Sequence, residues 1–247
     1  GYGAVVELEA DATDDTTNSG TNADRTYVYM NGGWGRFELG TNTDASTALK
    51  VDASSGARAS GGIDGDWFRF VNAPGAAFIV RPDLPVQHGG VQTPGETENA
   101  GKVTYYSPSF SGFQLGLSYT PDTDARGQDT FGVTSTAAGL GSGYEDVFSG
   151  GLSYNRQWDS VDLGLSATGE YGDDTAGAGD LESYALGASL GFGGFSLAGS
   201  WGDVEAGGTD ADFYTLGAAY DVDSFGLSVT WLESEVEVVG GHDMNSE

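Results

Sequence analysis

The sequence lacks cysteine and has little positive charge. With no cysteine among its 247 residues, the chain can form neither a disulfide scaffold nor a thiolate metal site. Only 9 residues are Lys or Arg against 37 that are Asp or Glu, which gives a formal net charge of −28. Nucleic-acid binding is excluded, because so few cations cannot neutralise a run of phosphates. The acidity indicates instead high external salt, divalent cations or a cationic partner.

Long hydrophobic runs are absent too, and no segment approaches the roughly 18 apolar residues of a membrane-spanning helix. The 42 glycines disfavour a helical bundle, because glycine is costly in helices. The 12 Tyr, 12 Phe and 5 Trp exclude global disorder, since disordered acidic chains are poor in aromatics. Together these properties predict an all-β chain.

Apolar and polar residues alternate along the chain, as they do in strands whose two faces meet unlike surroundings. Most alternating segments run about 8–12 residues, which suits strands tilted across a bilayer better than globular strands of about 5–6. About eleven segments have this pattern: 2–10, 24–31, 34–40, 101–107, 112–120, 146–157, 161–171, 181–192, 194–202, 212–221 and 225–234.

Short turns and long polar loops alternate between these segments. The predicted short turns are 31–34, 107–112, 157–161, 191–194 and 221–225, and the predicted long loops are 11–23, 41–100, 121–145, 172–180 and 203–211. In an up-and-down meander, this alternation places all short turns at one end of the sheet and all long loops at the other. Short periplasmic turns and long external loops are typical of outer-membrane barrels.

The apolar rows have aromatic residues at their ends and aliphatic residues between them, as in Tyr184, Leu186, Ala188, Leu190 and Phe192. Membrane-spanning strands have this order because amphipathic rings prefer the headgroup level. The opposite face carries polar residues that would line a water-filled lumen. The predicted lumen residues within strands are Glu7, Glu9, Arg36, Glu38, Gln114, Asp162, Glu170 and Glu182.

Residues 41–100 form a long segment without sustained periodicity. Its large apolar residues include Trp67, Phe68, Phe70, Phe78, Ile79 and Val80. Such a segment is too apolar for a free tail, so we expect it to pack against the rest of the protein. Its acidic residues, together with nearby arginines, would create a transverse field that selects solutes by charge. The candidate acidic constriction residues are Asp44, Asp52, Asp64, Asp66, Asp83, Glu96 and Glu98, and the candidate basic pore-lining residues are Arg25, Arg36, Arg58, Arg69 and Arg81.

Two stretches resemble the general porins of Gram-negative bacteria, the α-proteobacterial type in particular. Residues 25–46, RTYVYMNGGWGRFELGTNTDAS, are similar to the hairpin that leads into the constriction loop of that family. Residues 101–122, GKVTYYSPSFSGFQLGLSYTPD, are similar to the strand pair that follows the loop. With the later rhythm of strands and turns, the resemblance covers nearly the whole chain.

The resemblance implies a transmembrane antiparallel β-barrel of about 16 strands, with 41–100 as the third loop folded into the lumen. Residues 1–247 would then be a single barrel domain that lacks strands at both ends. It also implies a homotrimer in the bacterial outer membrane, in contact with lipid and lipopolysaccharide, after removal of a signal peptide. The implied function is passive diffusion of small hydrophilic solutes and ions, and the acidic lumen would favour cations.

Other chemistry has weak support in the sequence. GGIDGD at 61–66 resembles one copy of a calcium-binding repeat, with Asp64 and Asp66 as candidate ligands, but such repeats work as stacked copies. No other cofactor is expected. His88 and His242 have no companion histidines and no nucleophile motif is present, so no enzymatic activity is expected. The alternatives are a non-pore outer-membrane barrel, such as an adhesin or structural protein, and a secreted sugar-binding β-sandwich.

Overall fold

Twelve β-strands form one antiparallel sheet in the part of the chain that the computed structural model describes, residues 1–9, 22–56, 100–123, 143–175, 177, 179–238 and 244–246. The strands are β1 (Tyr2–Glu9), β2 (Asn22–Gly32), β3 (Gly35–Thr41), β4 (Gly101–Tyr106), β5 (Phe113–Asp122), β6 (Tyr144–Trp158), β7 (Val161–Asp174), β8 (Leu181–Phe192), β9 (Phe195–Ala206), β10 (Thr209–Val222), β11 (Phe225–Val238) and β12 (Met244–Ser246).

Each strand pairs with the next one in sequence, so the topology is up-and-down. The eleven predicted strands correspond to β1–β11, which confirms the all-β antiparallel prediction. Within the described residues, β1 and β12 each pair with one neighbour, and the sheet is therefore open and forms part of a barrel. A single sheet in this order does not support the β-sandwich alternative, which requires two sheets packed face to face.

The five predicted short turns are confirmed, and all lie at one end of the sheet, which we call the short-turn end. The opposite end is the long-loop end. At the short-turn end, β8 and β9 are joined by Gly193 and Gly194, whose φ angles are +56° and +86°. A two-residue hairpin turn that fits the twist of its strands needs positive φ at both positions, which glycine adopts without strain.

The predicted long loop at 203–211 is wrong. β9 continues to Ala206 and β10 begins at Thr209, so the connection is only Gly207 and Gly208, with φ angles of +59° and +74°. The Gly-Gly pair was the signal for a tight hairpin. The polarity of the surrounding residues obscured it, because the outward residues near this turn are carboxylates.

The two faces of the sheet have the reverse of the usual polarity. In β5, Leu115 and Leu117 are 42% and 55% exposed, whereas Ser118 and Thr120 are 3% and 1% exposed. We call the face with Leu117 the outer face and the face with Ser118 the inner face. The same alternation in β6–β8 buries Ser153, Ser166 and Ser183 on the inner face, with large apolar side chains opposite. This arrangement suits a sheet with lipid on its outer face.

Two bands of aromatic side chains bound the apolar part of the outer face. The short-turn girdle comprises Phe113, Tyr154, Trp158, Phe192, Phe195, Tyr220 and Phe225. The long-loop girdle comprises Tyr119, Phe148, Tyr171, Tyr184, Trp201, Tyr214 and Trp231. Cross-strand neighbours in both girdles pack ring against ring, as Phe195 and Tyr220 do with centroids 4.2 Å apart. Aliphatic residues lie between the girdles, as the sequence predicts.

Beyond the long-loop girdle the outer face of the sheet is polar and the inner face is apolar. The outer face there carries an acidic collar, which we define as Asp146, Asp173, Glu182, Asp203, Glu205, Asp210, Asp212, Glu233, Glu235 and Glu237. The inner face at this end carries a buried apolar cluster that includes Tyr144, Leu181, Val204 and Phe213. The strands therefore extend past the apolar band into a region where water meets their outer face.

Within the described residues, no helix is both long enough and apolar enough to span a bilayer.

The inverted faces predict a large difference between neighbouring positions of β8. Ala188→Arg places a cation in the middle of the outer apolar band, where such a charge costs about 2–4 kcal/mol. Ser189→Arg places the same cation on the inner face and should cost less than about 1 kcal/mol. Urea unfolding of both variants in lipid vesicles measures the difference. Equal losses at the two positions would contradict the assignment of the faces.

Candidate functional site on the inner face

A segment between β3 and β4 crosses the inner face of the sheet. We call residues 42–56 the crossing segment; it contains a one-turn helix, α1 (Ala45–Leu49), and a 3₁₀ helix at Ala53–Gly56. The helix packs against β4–β7, and the 3₁₀ helix packs against β9–β11. The first part of the predicted constriction loop therefore lies along the inner wall. The remainder of the loop, residues 57–99, lies outside the described residues.

Asp44 begins the crossing segment as the N-cap of α1. Its Oδ1 accepts hydrogen bonds from the backbone N–H of Thr47 at 3.0 Å and from the Ser46 hydroxyl at 2.6 Å. A side-chain oxygen at this position satisfies a backbone donor that the helix leaves unpaired. Asp44 is fully buried. This predicted constriction residue therefore uses one of its two carboxylate oxygens to cap α1, because its Oδ1 is bonded to Ser46 and Thr47.

Hydroxyl groups of the wall hold the backbone of the crossing segment. The N–H groups of Ala45, Val51 and Ala53 donate to Ser118 Oγ at 2.8 Å, to Ser166 Oγ at 2.8 Å and to Thr215 Oγ1 at 3.3 Å. These hydroxyls belong to β5, β7 and β10. Because a buried N–H without a partner costs free energy, the three contacts fix where the segment crosses the sheet.

A buried carboxylate also contacts the segment. The Ser46 hydroxyl lies 2.7 Å from Glu170 Oε1 on β7, in addition to its contact with Asp44. Ser46 is 1% exposed and Glu170 is 4% exposed, so this contact is shielded from solvent. The Ser46 hydroxyl has one proton, so it can donate fully to only one of these two carboxyl groups at a time.

Glycines of the wall make room for the crossing segment. A Cβ atom at Gly187 of β8 would lie 1.6 Å from the carbonyl oxygen of Val51, a distance that no side chain can accommodate. A Cβ atom at Gly116 of β5 would lie 2.8 Å from Leu49 Cδ1. The absence of side chains at these two positions lets the segment lie directly on the sheet.

Ion pairs occupy the inner face of β1–β3. Arg25 lies 3.7 Å from Glu7, and Arg36 Nε lies 2.5 Å from Glu38 Oε1. The Arg36 guanidinium also stacks 4.1 Å above the ring of Tyr29, which fixes its orientation. Both arginines predicted to line the pore and present in the described residues therefore lie beside a predicted lumen carboxylate.

Two lysines make contacts in this region, one within the crossing segment and one on the strand that follows the loop. Lys50 lies 3.2 Å from the buried Asp52, within the segment. Lys102 on β4 donates to the backbone carbonyls of Asn42 at 2.5 Å and Ala100 at 3.0 Å, which joins the start of the loop to its end. Asn42 in turn donates to Glu38 Oε2 at 2.5 Å.

The remaining predicted site residues divide into two groups. Gln114 and Asp162 lie on the inner face, and Glu9 lies in β1, with its side chain outside the described part. A second group lies outside the described residues altogether: Asp64, Asp66, Asp83, Glu96, Glu98, Arg58, Arg69 and Arg81. The candidate calcium ligands Asp64 and Asp66 are in this second group. Among the residues that are described, no group of three His, Cys, Asp or Glu side chains could hold a metal ion.

One predicted lumen residue is on the wrong face. Glu182 pairs with Tyr171 and Glu205 on the outer face, while its neighbour Ser183 is buried on the inner face. The physical reason is the return to ordinary polarity beyond the long-loop girdle, where carboxylates replace apolar residues on the outer face. An alternation of polar and apolar residues does not by itself indicate which side meets water.

The residues that hold the crossing segment were the ones that sequence reasoning missed. Ser118, Ser166, Thr215 and Gly187 fall within predicted strands, but none of them was a candidate site residue. Nothing in the local sequence indicated which of them would meet residues more than 70 positions away.

The comparisons with known proteins agree with this architecture. The family model described as Gram-negative porin matches residues 1–246. An uncharacterized protein of Rickettsia felis is 27% identical in an alignment that covers 69% of this chain and 51% of that protein. A second one, from Rickettsia conorii, is 26% identical, with coverage of 71% and 52%. The chain spans about half the length of these curated relatives.

Solved structures with similar folds are also bacterial porins. A porin refined at 1.8 Å resolution superimposes with a TM-score of 0.51 and 15% identity, covering 90% of this chain and 68% of that one. The anion-selective porin from Comamonas acidovorans has a TM-score of 0.42 and 20% identity, with coverage of 88% and 69%. At these identities the likeness concerns the fold alone.

The close approach at Gly187 predicts a specific effect of a single methyl group. Gly187→Ala should displace Val51 and weaken the hydrogen bonds from Val51 and Ala53 to the wall. We expect at least about fivefold faster hydrogen exchange in residues 51–53, because losing one such bond costs about 1 kcal/mol or more. Gly191→Ala is the control, since its Cβ would meet only the Asp162 side chain at 3.3 Å. Unchanged exchange in Gly187→Ala would contradict the close packing.

Proposed function

The chain belongs to the Gram-negative porin family, and we propose that it forms a passive diffusion channel of the bacterial outer membrane for small hydrophilic solutes and ions. The observation that carries this proposal is the inverted sheet, with an apolar outer face between two aromatic girdles and a polar inner face. Such a wall separates lipid from water. The mechanism needs no catalytic group, because solutes move down their own gradients through the lumen.

The crossing segment supports the further proposal that 41–100 narrows the lumen. Residues 42–56 lie against the inner wall from β4 to β11, and three wall hydroxyls hold their backbone. A loop held in this way reduces the cross-section available to solutes without a moving part. The acidic and basic candidates along 41–100 would then lie where a solute passes closest to the protein, and would select it by charge.

A cation preference is proposed from the balance of charge. The chain has 37 acidic and 9 basic residues, and seven of the acidic ones are the constriction candidates along 41–100. A negative field in a narrow passage raises the local concentration of cations. On the wall, Glu7 and Glu38 are offset by Arg25 and Arg36, so the field along 41–100 has the larger effect.

The assembly is proposed from the family alone. We infer a homotrimer in contact with outer-membrane lipid and lipopolysaccharide, formed by a longer protein whose signal peptide has been removed. A non-pore barrel, such as an adhesin or structural protein, is the competing class, and electrical measurement separates the two.

The pore proposal predicts ion conductance. Protein purified in detergent and added to a planar bilayer should give stepwise openings that occur in groups of three. Under a KCl gradient, the reversal potential should have the sign of a cation-preferring channel. Correctly folded protein that inserts into the bilayer without conductance would contradict the pore and favour the non-pore barrel. Single, ungrouped steps would contradict the trimer alone.

The assignment of faces predicts which carboxylates influence selectivity. Asp162→Lys changes the inner face by two charges, whereas Glu205→Lys makes the same change on the outer face. At about 10 Å through water, two charges alter the energy of a passing ion by less than about 1 kcal/mol, and salt reduces this further. We expect the cation-to-anion permeability ratio to fall about twofold in Asp162→Lys and to remain unchanged in Glu205→Lys. The reverse order would contradict a lumen on the inner face.

A further inference from the structure

The outer face carries a single cation in the part of the chain that the structure describes. Arg156 lies on β6 between Tyr154 and Trp158, and these three alternate residues share the outer face near the short-turn end. The acidic collar lies at the opposite end of the same face. The other described basic residues belong to the inner face or to the crossing segment: Arg25, Arg36, Lys50 and Lys102.

The backbone of Arg156 lies one step inside the short-turn girdle. Its partner on β7 is Leu163, which pairs in turn with Leu190 of β8, and both leucines belong to the aliphatic part of the outer face. A cation beside lipid costs free energy unless its side chain reaches polar surroundings. The guanidinium lies 5.4 Å from the centre of the Trp158 ring, so the side chain extends from the aliphatic level toward the short-turn end.

Arg156 has an aromatic neighbour but no carboxylate partner among the described residues. Its guanidinium contacts the ring of Trp158, and no described Asp or Glu forms an ion pair with it. On the inner face, by contrast, Arg25 and Arg36 each lie beside a glutamate. A guanidinium at a lipid-facing position is stabilised by an anion within hydrogen-bond reach. That anion would have to come from outside the described part of the chain.

Aromatic side chains form an exposed apolar surface next to Arg156, on the side of β5. Phe113 pairs with Tyr154, and their ring centroids are 4.5 Å apart. Phe110 and Phe113 exchange both backbone hydrogen bonds, at 2.8 and 2.9 Å, and such partners lie on the same face of a sheet. Phe110 is 78% exposed. A guanidinium beside exposed rings suits a ligand that is anionic at one end and apolar at the other.

We propose that Arg156 binds the phosphate of a glycerophospholipid in the periplasmic leaflet of the outer membrane, with an acyl chain against Phe113, Tyr154 and Leu163. This inference rests on the proposed membrane location, in which the short turns face the periplasm. Lipopolysaccharide occupies the external leaflet, so the lipids at the short-turn end are phospholipids. The guanidinium presents its N–H donors in a fork that matches phosphate oxygens, and Trp158 holds this fork at the headgroup level.

The test compares phosphatidylglycerol and phosphatidylethanolamine with identical acyl chains, by native mass spectrometry of the detergent-purified protein. Phosphatidylglycerol should bind more tightly, because the ammonium group of phosphatidylethanolamine offsets the charge of its own phosphate. In Arg156→Gln we expect about fivefold weaker binding of phosphatidylglycerol, since one arginine near a membrane surface contributes about 1 kcal/mol to the attraction of anionic lipid. Unchanged binding in this variant would overturn the site.

Asn155→Asp is the matched control. It makes the same one-unit change in net charge at the neighbouring position, but on the inner face, where the Asn155 side chain lies close to Gly164 and the crossing segment. Its binding of phosphatidylglycerol should equal that of the unmodified protein. Equal losses in Asn155→Asp and Arg156→Gln would show that net charge alone controls binding, and would overturn the assignment to Arg156.

Two further measurements separate a lipid from a free anion. Phe113→Ala removes part of the apolar surface and should weaken both lipids by the same factor, because their acyl chains are identical. Inorganic phosphate at millimolar concentration should not displace phosphatidylglycerol, because it has no acyl chain. Displacement by phosphate, or full binding of both lipids in Phe113→Ala, would overturn the lipid assignment.

Conductance distinguishes a failure of this inference from a failure of the proposed pore. Arg156 faces away from the inner wall, so Arg156→Gln should conduct in planar bilayers as the unmodified protein does. Normal conductance together with unchanged lipid binding in Arg156→Gln would reject the lipid site alone. An unmodified protein that inserts without conductance would reject the pore, whereas the lipid measurements would still apply to a non-pore barrel.

Discussion

The structure depends on one constraint: a backbone in lipid must satisfy every hydrogen bond from within the protein. A sheet meets this requirement only through pairing between neighbouring strands, and here each strand pairs with the next in sequence. Once the pairing is fixed, side chains alternate between two faces, and lipid on one face makes that face apolar. Leu117 and Ser118 are adjacent in sequence and have opposite exposures for this reason, 55% against 3%.

The inner face holds the crossing segment although most of that face has no apolar core. Small residues of the wall hold it: hydroxyl groups bind the backbone of the segment, and glycines allow close approach. Ser118, Ser166 and Thr215 accept from the crossing segment, and Gly187 permits Val51 to lie against β8. Charges on this face occur beside partners, as Arg36 does with Glu38 and Tyr29. The wall therefore positions the segment by geometry more than by net charge.

The position of the carboxylates changes how the net charge of −28 is to be understood. Many acidic residues of β8–β11 lie on the outer face beyond the aromatic girdle, where they meet water and not the lumen. Asp203 and Asp212 are direct partners on the adjacent strands β9 and β10. Two like charges in this position repel each other unless cations screen them. Composition thus overstates the acidity of the inner wall.

The sequence by itself determined the strands, their order and most of their faces, because a period of two residues and a short turn are local properties. It failed at Gly207–Gly208 and at Glu182, where the strands pass out of the apolar band and the polarity of the two faces reverses; the period continues there, but its meaning changes with the surrounding solvent. Only the tertiary structure decided which wall groups meet the crossing segment. Asp44 as a cap, Ser166 as an acceptor for Val51 and Gly187 beneath Val51 all depend on contacts between residues distant in the chain. Such contacts follow from the register and curvature of the whole sheet, which no local pattern encodes.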